Sequence, residues 1–238
     1  MTDAADAEEG IRLAKRVAAL AGCSRREAEL LIENGAVRVD GEPALLPQMR
    51  VAPQQRVEIE PGARPEPVVP VTLLLHKPAG MTTDNAHRLL VPANHHAPER
   101  AGLRFLPRHV TGQRCMTPLE SGASGLIVFT QEWRIERRLH EDAAIIEHEI
   151  MVDVEGAVGP ETLVRFDRAP ARVSIGQRGE GHTGLRFAIK GHRPGQIANL
   201  CTEAGLRIQS MKRIRIGRIP LAGLLPGQWR YLLPSERF

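Results

Sequence analysis

The stretch Thr117-Pro118-Leu119-Glu120-Ser121-Gly122-Ala123-Ser124-Gly125-Leu126-Ile127-Val128-Phe129-Thr130 carries the pattern on which the interpretation of this chain depends. Its second half contains a continuous apolar run, Leu126 to Phe129, which is typical of a buried β-strand. Its first half holds Pro118 and a single carboxylate, Glu120. A carboxylate can act as a nucleophile or a base without a metal or an organic cofactor, so Glu120 is the first candidate for a reactive group.

The size and composition of the chain indicate a globular protein with two parts. With 238 residues, 42% of them hydrophobic, it can form one small module and one larger domain, each with its own core. No apolar run approaches the roughly 20 residues of a membrane helix. Residues 1–10 contain acidic but no basic side chains, which argues against a signal or transit peptide and predicts an acidic, disordered tail.

The spacing of cysteine and histidine argues against a metal site. Cys23, Cys115 and Cys201 are far apart and form no C-x-x-C pair, which favours a reducing cytoplasm. The pair His95-His96 is interpreted as facing solvent in a loop rather than as two metal ligands. We therefore expect a cytoplasmic monomer without a metal, a cofactor or a membrane association.

The charge is distributed unevenly along the chain. Residues 1–60 carry a net charge of −3 and residues 61–184 a net charge of −1, whereas residues 185–238 hold ten basic and two acidic side chains. A segment this basic favours contact with a polyanion such as nucleic acid. A solvated basic surface is the alternative, and the charge count alone leaves both open.

Residues 11–60 are predicted to form a small helical module with short strands. Two helices are expected, the first ending at Gly22 and the second starting at Ser24 with a capping box to Glu27. The apolar stripe of the first helix is predicted to consist of Leu13, Val17, Leu20 and Ala21. Strands are expected at Val37–Val39 and Val57–Ile59, with a hairpin turn at Asp40-Gly41.

Basic side chains in this module are placed where helix stability does not explain them. Arg25 and Arg26 lie in a first helical turn, where the helix dipole disfavours cations, so phosphate contact is the natural reason for them. The pattern from Arg12 to Gly41 resembles the S4 RNA-binding domain, in which Arg-Leu-x-Lys is followed by Cys-Ser-Arg-Arg-Glu-Ala and Gly-x-Val-x-Val-Asp-Gly. The resemblance implies the RNA-binding residues Arg12, Lys15, Arg16, Ser24, Arg25, Arg26 and Arg38. An unrelated helical hairpin is the alternative.

Residues 61–70 contain four prolines and are predicted to be a semi-rigid linker, after which residues 71–238 form the larger domain. We expect an α+β fold with a mixed, antiparallel-rich sheet. The predicted strands are 71–76, 126–129, 147–154, 185–189, 206–208 and 214–216, and the predicted helices are 132–140 and 196–204. The segment from Thr82 to Gln113 is predicted to be a long basic loop, with His87, Arg88, Arg100, Arg104 and Arg108 along it and Arg114 directly after it.

The larger domain resembles the S4-containing RsuA-like family of ribosomal RNA pseudouridine synthases. The shared motifs are Lys77-Pro78-Ala79-Gly80, the Gly125-Leu126 strand ending at Thr130, the Lys212-Arg213-x-Arg215 run and Pro226–Arg230. The resemblance implies a fold that holds structured RNA, ribosomal RNA in the first instance. It also implies the RNA contacts Lys77, Arg193, Lys212, Arg213 and Arg215.

The positions that would carry the chemistry depart from the family pattern. Glu120 stands where the family has its nucleophilic Asp, and Pro118 stands at the neighbouring Arg. Ile150 replaces the Tyr that stacks on the flipped base, and Gly195 replaces the Arg of a helical motif. Arg193 and Asp84 are considered as partial stand-ins.

We interpret the chain as an RNA-binding protein on a synthase scaffold, with lost or weakened isomerase activity. One alternative is an active synthase that uses Glu120. A second alternative is an S4-type factor in ribosome assembly or rescue.

Overall fold

A computed structural model describes residues 10–96, 103–167 and 169–238 of the chain. The chain divides into two compact units. Unit 1 contains the residues up to Pro70 together with 104–112, and unit 2 contains 71–103 and 113–238. The predicted tail lies almost wholly outside the described residues, as does Arg100 in the predicted basic loop.

The boundary of the larger domain differs from the one predicted. Residues 104–112, expected within the larger domain, belong to unit 1. There the Arg104 guanidinium donates to the carbonyl of Gly35 at 3.3 Å, and Arg108 approaches the carboxylate of Glu33 at 3.9 Å. These two arginines of the predicted basic loop are therefore internal contacts of unit 1.

Unit 1 consists of two helices and two small sheets. In chain order its elements are β1 (Ile11–Arg12), α1 (Leu13–Ala21), α2 (Arg25–Glu33), β2 (Val37–Val39), β3 (Glu42–Pro43), β4 (Arg50–Val51) and β5 (Val57–Ile59), with a 3₁₀ turn at Pro107–His109. Strands β3, β2 and β5 form one antiparallel sheet, and β1 pairs with β4. The core lies between the helices and the strands.

Local signals place these elements almost residue by residue. Helix α1 ends at Gly22, which has a left-handed φ of 63°, and both hydrogen bonds of the Ser24–Glu27 capping box are present. Asp40 and Gly41 have φ values of 52° and 86°, as a two-residue hairpin requires. The predicted apolar stripe of α1 is partly wrong. Leu20 is 55% exposed, because the face that packs consists of Leu13, Ala14 and Val17.

Unit 2 is built on one large mixed sheet with helices. Its elements are β6 (Thr72–Lys77), α3 (Thr83–Ala86), β7 (Arg114–Cys115), β8 (Ser124–Thr130), α4 (Trp133–Glu141), β9 (Glu147–Glu155), α5 (Pro160–Leu163), β10 (Ala171–Gly179), β11 (His182–Lys190), α6 (Gln196–Glu203), β12 (Ile208–Ile216), β13 (Ile219–Pro220) and β14 (Trp229–Tyr231), with 3₁₀ turns at 87–89, 92–94 and 164–166.

The strand order in unit 2 is β10-β11-β9-β12-β8-β6-β14, with β13 paired to β12 and β7 paired to β8. The pairs are antiparallel except for β12 with β8, which are parallel. This confirms the predicted α+β fold with a mixed, antiparallel-rich sheet. Gly125 allows the parallel pair to approach, because a side chain there would collide with the backbone of Arg213.

Several elements of unit 2 differ from the prediction, among them the short helix α3 and the 3₁₀ turns within the segment expected to be a loop. The two strands expected at 206–208 and 214–216 form a single strand, β12, with irregular pairing near Ser210 and Ile214. Strand β10 was not predicted, because most of its residues are exposed and its sequence lacks an apolar run. Trp133 of α4 is 63% exposed, whereas Leu139 of the same helix is buried.

Candidate functional site

The turn that contains Lys77-Pro78-Ala79-Gly80 contacts the segment that contains Glu120. We use the name Glu120 loop for residues 117–121. The amide of Gly80 donates to the Ser121 carbonyl at 2.7 Å, and the hydroxyl of Thr83 donates to the Leu119 carbonyl at 2.8 Å. The loop is therefore fixed by the turn that follows β6, some 40 residues earlier in the chain.

The carboxylate of Glu120 is buried without a direct partner. Both of its oxygen atoms are inaccessible, and neither has a hydrogen bond within the described part of the chain. The carboxylate interacts electrostatically with two cations, the side chains of Lys77 and Arg213. A buried carboxylate is stabilised only by such compensating charge.

Lys77 is a buried internal cation. It is 0% exposed, and its ammonium group donates to the carbonyls of Pro78 at 2.9 Å, Met81 at 2.7 Å and Ser121 at 3.4 Å. Burial lowers the pKa of Lys77, and Glu120 opposes that shift. The side chain joins the turn after β6 to the Glu120 loop.

Arg213 holds the other side of the same loop. It is 1% exposed and donates to the carbonyls of Thr117 and Pro118, and from Nε to that of Leu126 at 2.7 Å. Burial lowers the pKa of Arg213 to about 9, with Cys115 and Glu120 opposing the shift. The guanidinium is therefore still protonated at neutral pH.

These environments correct the roles that the sequence suggested for Lys77 and Arg213. Both were expected to contact RNA, but their donors are engaged with backbone carbonyls in the interior. The β-bulge between Arg213 and Arg215 explains the burial, since it lets both Arg213 and Ile216 face inward. Arg213 and Ile216 are three residues apart, so strict alternation would place them on opposite faces of the strand, and no signal in the sequence marks the bulge.

A cavity of about 530 Å³ lies beside the Glu120 loop in unit 2. We call it the histidine cavity. Glu120 is not among the described residues that line it. The lining residues are Met116, Thr117, Pro118, Leu139, His140, Glu141, Ala143, Ala144, Ile146, His148, Lys190, Gly191, His192, Arg193 and Gln196.

Two neutral imidazoles form part of the cavity wall. The rings of His148 and His192 have centroids 5.8 Å apart. Burial, with Arg213 as the next cause, lowers the pKa of His148 to about 2 and that of His192 to about 4. Sequence reasoning missed both residues, because their proximity depends on the pairing of β9 with β11 and on the loop after β11.

Apart from Glu120, the positions that depart from the family pattern hold uncharged residues. Pro118 lines the cavity, and Ile150 is fully buried in β9 opposite Arg213. Gly195 lies at the start of α6 with a left-handed φ of 82°. An Arg at that position would need a backbone conformation that side-chain-bearing residues rarely adopt.

The remaining cations of unit 2 have mixed environments. Arg193 lines the cavity and Lys212 is exposed, so both are available to a ligand. Arg215 pairs with Glu147 at 2.7 Å and Glu149 at 2.8 Å, which assigns it to the sheet. Asp84 is exposed in α3 and does not line the cavity.

The cations of unit 1 are mostly at its surface. Arg12 and Lys15 are exposed, and the side chains of Arg25 and Arg26 are 63% and 64% exposed, each near Glu29. Arg16 donates to the Pro53 carbonyl at 3.4 Å, and Arg38 donates to the Gly41 carbonyl at 3.0 Å. Ser24 caps α2 through its hydroxyl oxygen, so its visible role is structural.

Two kinds of feature are absent from the described ranges. No group of three or more His, Cys, Asp or Glu side chains there could hold a metal ion. The helices in those same ranges are too short or too polar to cross a bilayer.

Comparison with known proteins adds relatives over nearly the whole length. The S4 domain family matches residues 11–57. An uncharacterized RNA pseudouridine synthase of Aquifex aeolicus is 26% identical over 234 residues, which are 95% of this chain and 94% of the relative. The ribosomal large subunit pseudouridine synthase B of Bacillus subtilis is 25% identical and covers 94% of this chain and 93% of its own length. That of Vibrio vulnificus is 29% identical, with coverage of 93% and 71%.

A solved structure shows the same fold. The crystal structure of a pseudouridylate synthase superposes with a TM-score of 0.54 at 18% identity, and the match covers 95% of this chain and 97% of that one.

Proposed function

We propose, on the premise that the chain is a member of the S4-containing RsuA-like pseudouridine synthase family, that it binds structured ribosomal RNA and has lost or weakened uridine isomerisation. Unit 1 supplies exposed cations, among them Arg12, Lys15, Arg25 and Arg26. Contacts between such side chains and phosphates release counterions, so the affinity is expected to fall steeply with salt.

The observation that supports a loss of isomerisation is the set of uncharged or non-aromatic side chains at the positions that depart from the family pattern. Isomerisation needs a carboxylate that reaches the sugar and groups that hold the extruded base. Pro118 and Gly195 offer no charge, and the buried Ile150 offers no aromatic ring. Glu is also one methylene longer than Asp, and a misplacement of about 1 Å can reduce a rate by about a hundredfold.

The backbone at Gly195 is a second obstacle to activity, and Glu120→Asp would not remove it. Gly195 has a φ of 82°, and no heavy atom lies within 4 Å of the point that a Cβ would occupy. Space for a side chain is therefore available, but the conformation is unfavourable for Arg. We therefore expect Glu120→Asp alone not to restore full activity.

Two measurements on the same purified protein test the proposal. The first is the affinity for ribosomal RNA fragments at several salt concentrations, and the second is tritium release from 5-tritiated uridine in those fragments. Salt-sensitive binding without appreciable release is expected. Absence of binding above a neutral control protein at low salt, or quantitative release, would contradict the proposal. Crosslinking followed by RNA sequencing identifies which RNA is bound.

An active synthase using Glu120 is the second candidate. It is favoured by the two cations, Lys77 and Arg213, that keep a positive environment beside the carboxylate. In that case wild-type protein releases tritium, and Glu120→Ala abolishes the release. Glu161→Ala, which removes an exposed carboxylate of α5 in the same unit, serves as the matched control.

A further inference from the structure

The histidine cavity contains a side chain, His192, whose polar atoms make no hydrogen bond to the described residues. Both ring nitrogens of His192 are buried, and neither has a hydrogen-bond partner among the described residues. A buried donor or acceptor without a partner destabilises the folded state, so such groups usually meet a ligand or an ordered water. His192 lies in the wall of a cavity of about 530 Å³, within the usual range for small-molecule sites.

The neighbouring His148 has a defined proton position. Its Nδ1 lies 3.4 Å from Nη1 of Arg213. A guanidinium can only donate, so Nδ1 of His148 is the acceptor, and the neutral ring carries its proton on Nε2. Arg213 is itself held by the carbonyls of Thr117, Pro118 and Leu126. The Glu120 loop therefore helps to orient His148 through Arg213.

The wall and the rim of the cavity differ in charge. The two imidazoles are uncharged at neutral pH, because burial beside the Arg213 cation disfavours a second positive charge. The rim holds the exposed cations Lys190 and Arg193. A neutral ring that needs hydrogen bonds fits the wall, and a phosphate fits the rim.

We propose that the histidine cavity holds one nucleotide of a bound RNA, with the edge of its uncharged base hydrogen-bonded to His148 and His192 and its phosphate on Lys190 and Arg193. His148 donates from Nε2, while His192 supplies one donor and one acceptor. This site rests on the proposed function, and it assigns recognition of the base to two histidines rather than to Ile150 or Glu120.

The test uses the full chain and the four nucleoside 5′-monophosphates, with inorganic phosphate as a further probe. Binding is followed by calorimetry and by the NMR signals of the histidine rings. We expect the ring signals of His148 and His192 to shift with a nucleotide. Inorganic phosphate alone should leave them unmoved, and a shift with phosphate equal to that with nucleotide would overturn the proposal.

Three variants decide whether His192 reads the base. His192→Phe removes both nitrogens and should weaken nucleotide binding by roughly ten- to a hundredfold, as expected for the loss of two hydrogen bonds. His192→Gln keeps an amide donor and acceptor and should retain more affinity than the Phe variant. His182→Phe makes the same change away from the cavity and should bind like wild type.

Two results for these variants would overturn the site, namely wild-type affinity in His192→Phe or an equal loss in the Gln and Phe variants. Binding of the ribosomal RNA fragment is measured in parallel. If the fragment binds while the nucleotide results are negative, the site fails and the proposed function stands. If the fragment does not bind at all, the proposed function fails.

Discussion

Basic side chains have different environments in the two units. In unit 1, Arg25 and Arg26 extend from the first turn of a helix into solvent, where the helix dipole opposes them. In unit 2, Lys77 and Arg213 are buried and their donors end on backbone carbonyls. The same residue types therefore lie at the surface in one unit, where we propose that they bind RNA, and form an internal frame in the other, and sequence alone does not distinguish the two uses.

Removing the internal frame should have the largest effect. Arg213→Met leaves the carbonyls of Thr117 and Pro118 without this donor and leaves Lys77 as the remaining cation beside Glu120, and breaking a buried charge interaction costs about 3–5 kcal/mol. Urea unfolding followed by tryptophan fluorescence measures the loss in unit 2, because both tryptophans lie there. Lys212→Met changes the exposed neighbour on the same strand and should have little effect. Equal stability of the two variants would contradict the internal role.

The histidines of the frame should make unit 2 sensitive to acid. Their folded pKa values lie below the ordinary value of about 6.5, so the unfolded chain binds protons that the folded chain does not. Their stabilising effect is therefore present above pH 6.5 and is lost as the pH falls towards 4. Arg213 and Arg215 face His148, Arg213 faces His192, and the cavity also holds His140, Glu141, Lys190 and Arg193.

The measurement is the urea midpoint of tryptophan fluorescence at pH 7 and at pH 5. The carboxyls of Glu147 and Glu149 have lowered pKa values, so their protonation affects stability below this pH interval. His192→Phe should lose less stability over this interval than wild type, because one acid-sensitive group is gone. A loss of the same size in both proteins would show that His192 does not resist protonation.

The surface cations of unit 1 should affect binding and leave stability unchanged. Replacing both Arg25 and Arg26 by Ala removes two phosphate contacts, which lowers the salt dependence of RNA binding by about two units of slope. Filter binding at several salt concentrations measures this. Arg56→Ala, an exposed arginine elsewhere in the unit, is the control. An unchanged slope in the double variant would remove these side chains from the RNA surface.

The smallest expected effect comes from a local signal in unit 1. Ser24→Ala removes the N-cap of α2 and should cost about 1 kcal/mol. Circular dichroism detects the change in helix stability, whereas tryptophan fluorescence should not move, since no tryptophan lies in unit 1. Ser210→Ala, a hydroxyl in a strand of unit 2, should leave helix α2 unaffected.

The ease of prediction also differs between the units. The capping box at Ser24 and the turn at Asp40-Gly41 are made by neighbouring residues, so the sequence predicts them directly. The α+β class of unit 2 and most of its strands were also predictable, because apolar runs such as that of β8 mark buried strands. The site was predictable only in part, since the motifs pointed to Glu120 and Arg213 but not to their surroundings. The burial of Arg213 depends on a bulge in β12, and the meeting of His148 with His192 depends on pairing between distant strands.

The assignment of residues 104–112 to unit 1 has a consequence for how the protein is made. A ribosome delivers the first 70 residues before this segment exists, and it delivers residues 71–103 of unit 2 in between. Unit 1 therefore cannot be completed until β6 and α3 of unit 2 have been synthesised. Only then are residues 104–112 present, and only then can Arg104 contact Gly35. A recombinant fragment that stops at Pro70 would lack residues 104–112, so an isolated unit 1 requires that segment to be joined to it by a linker.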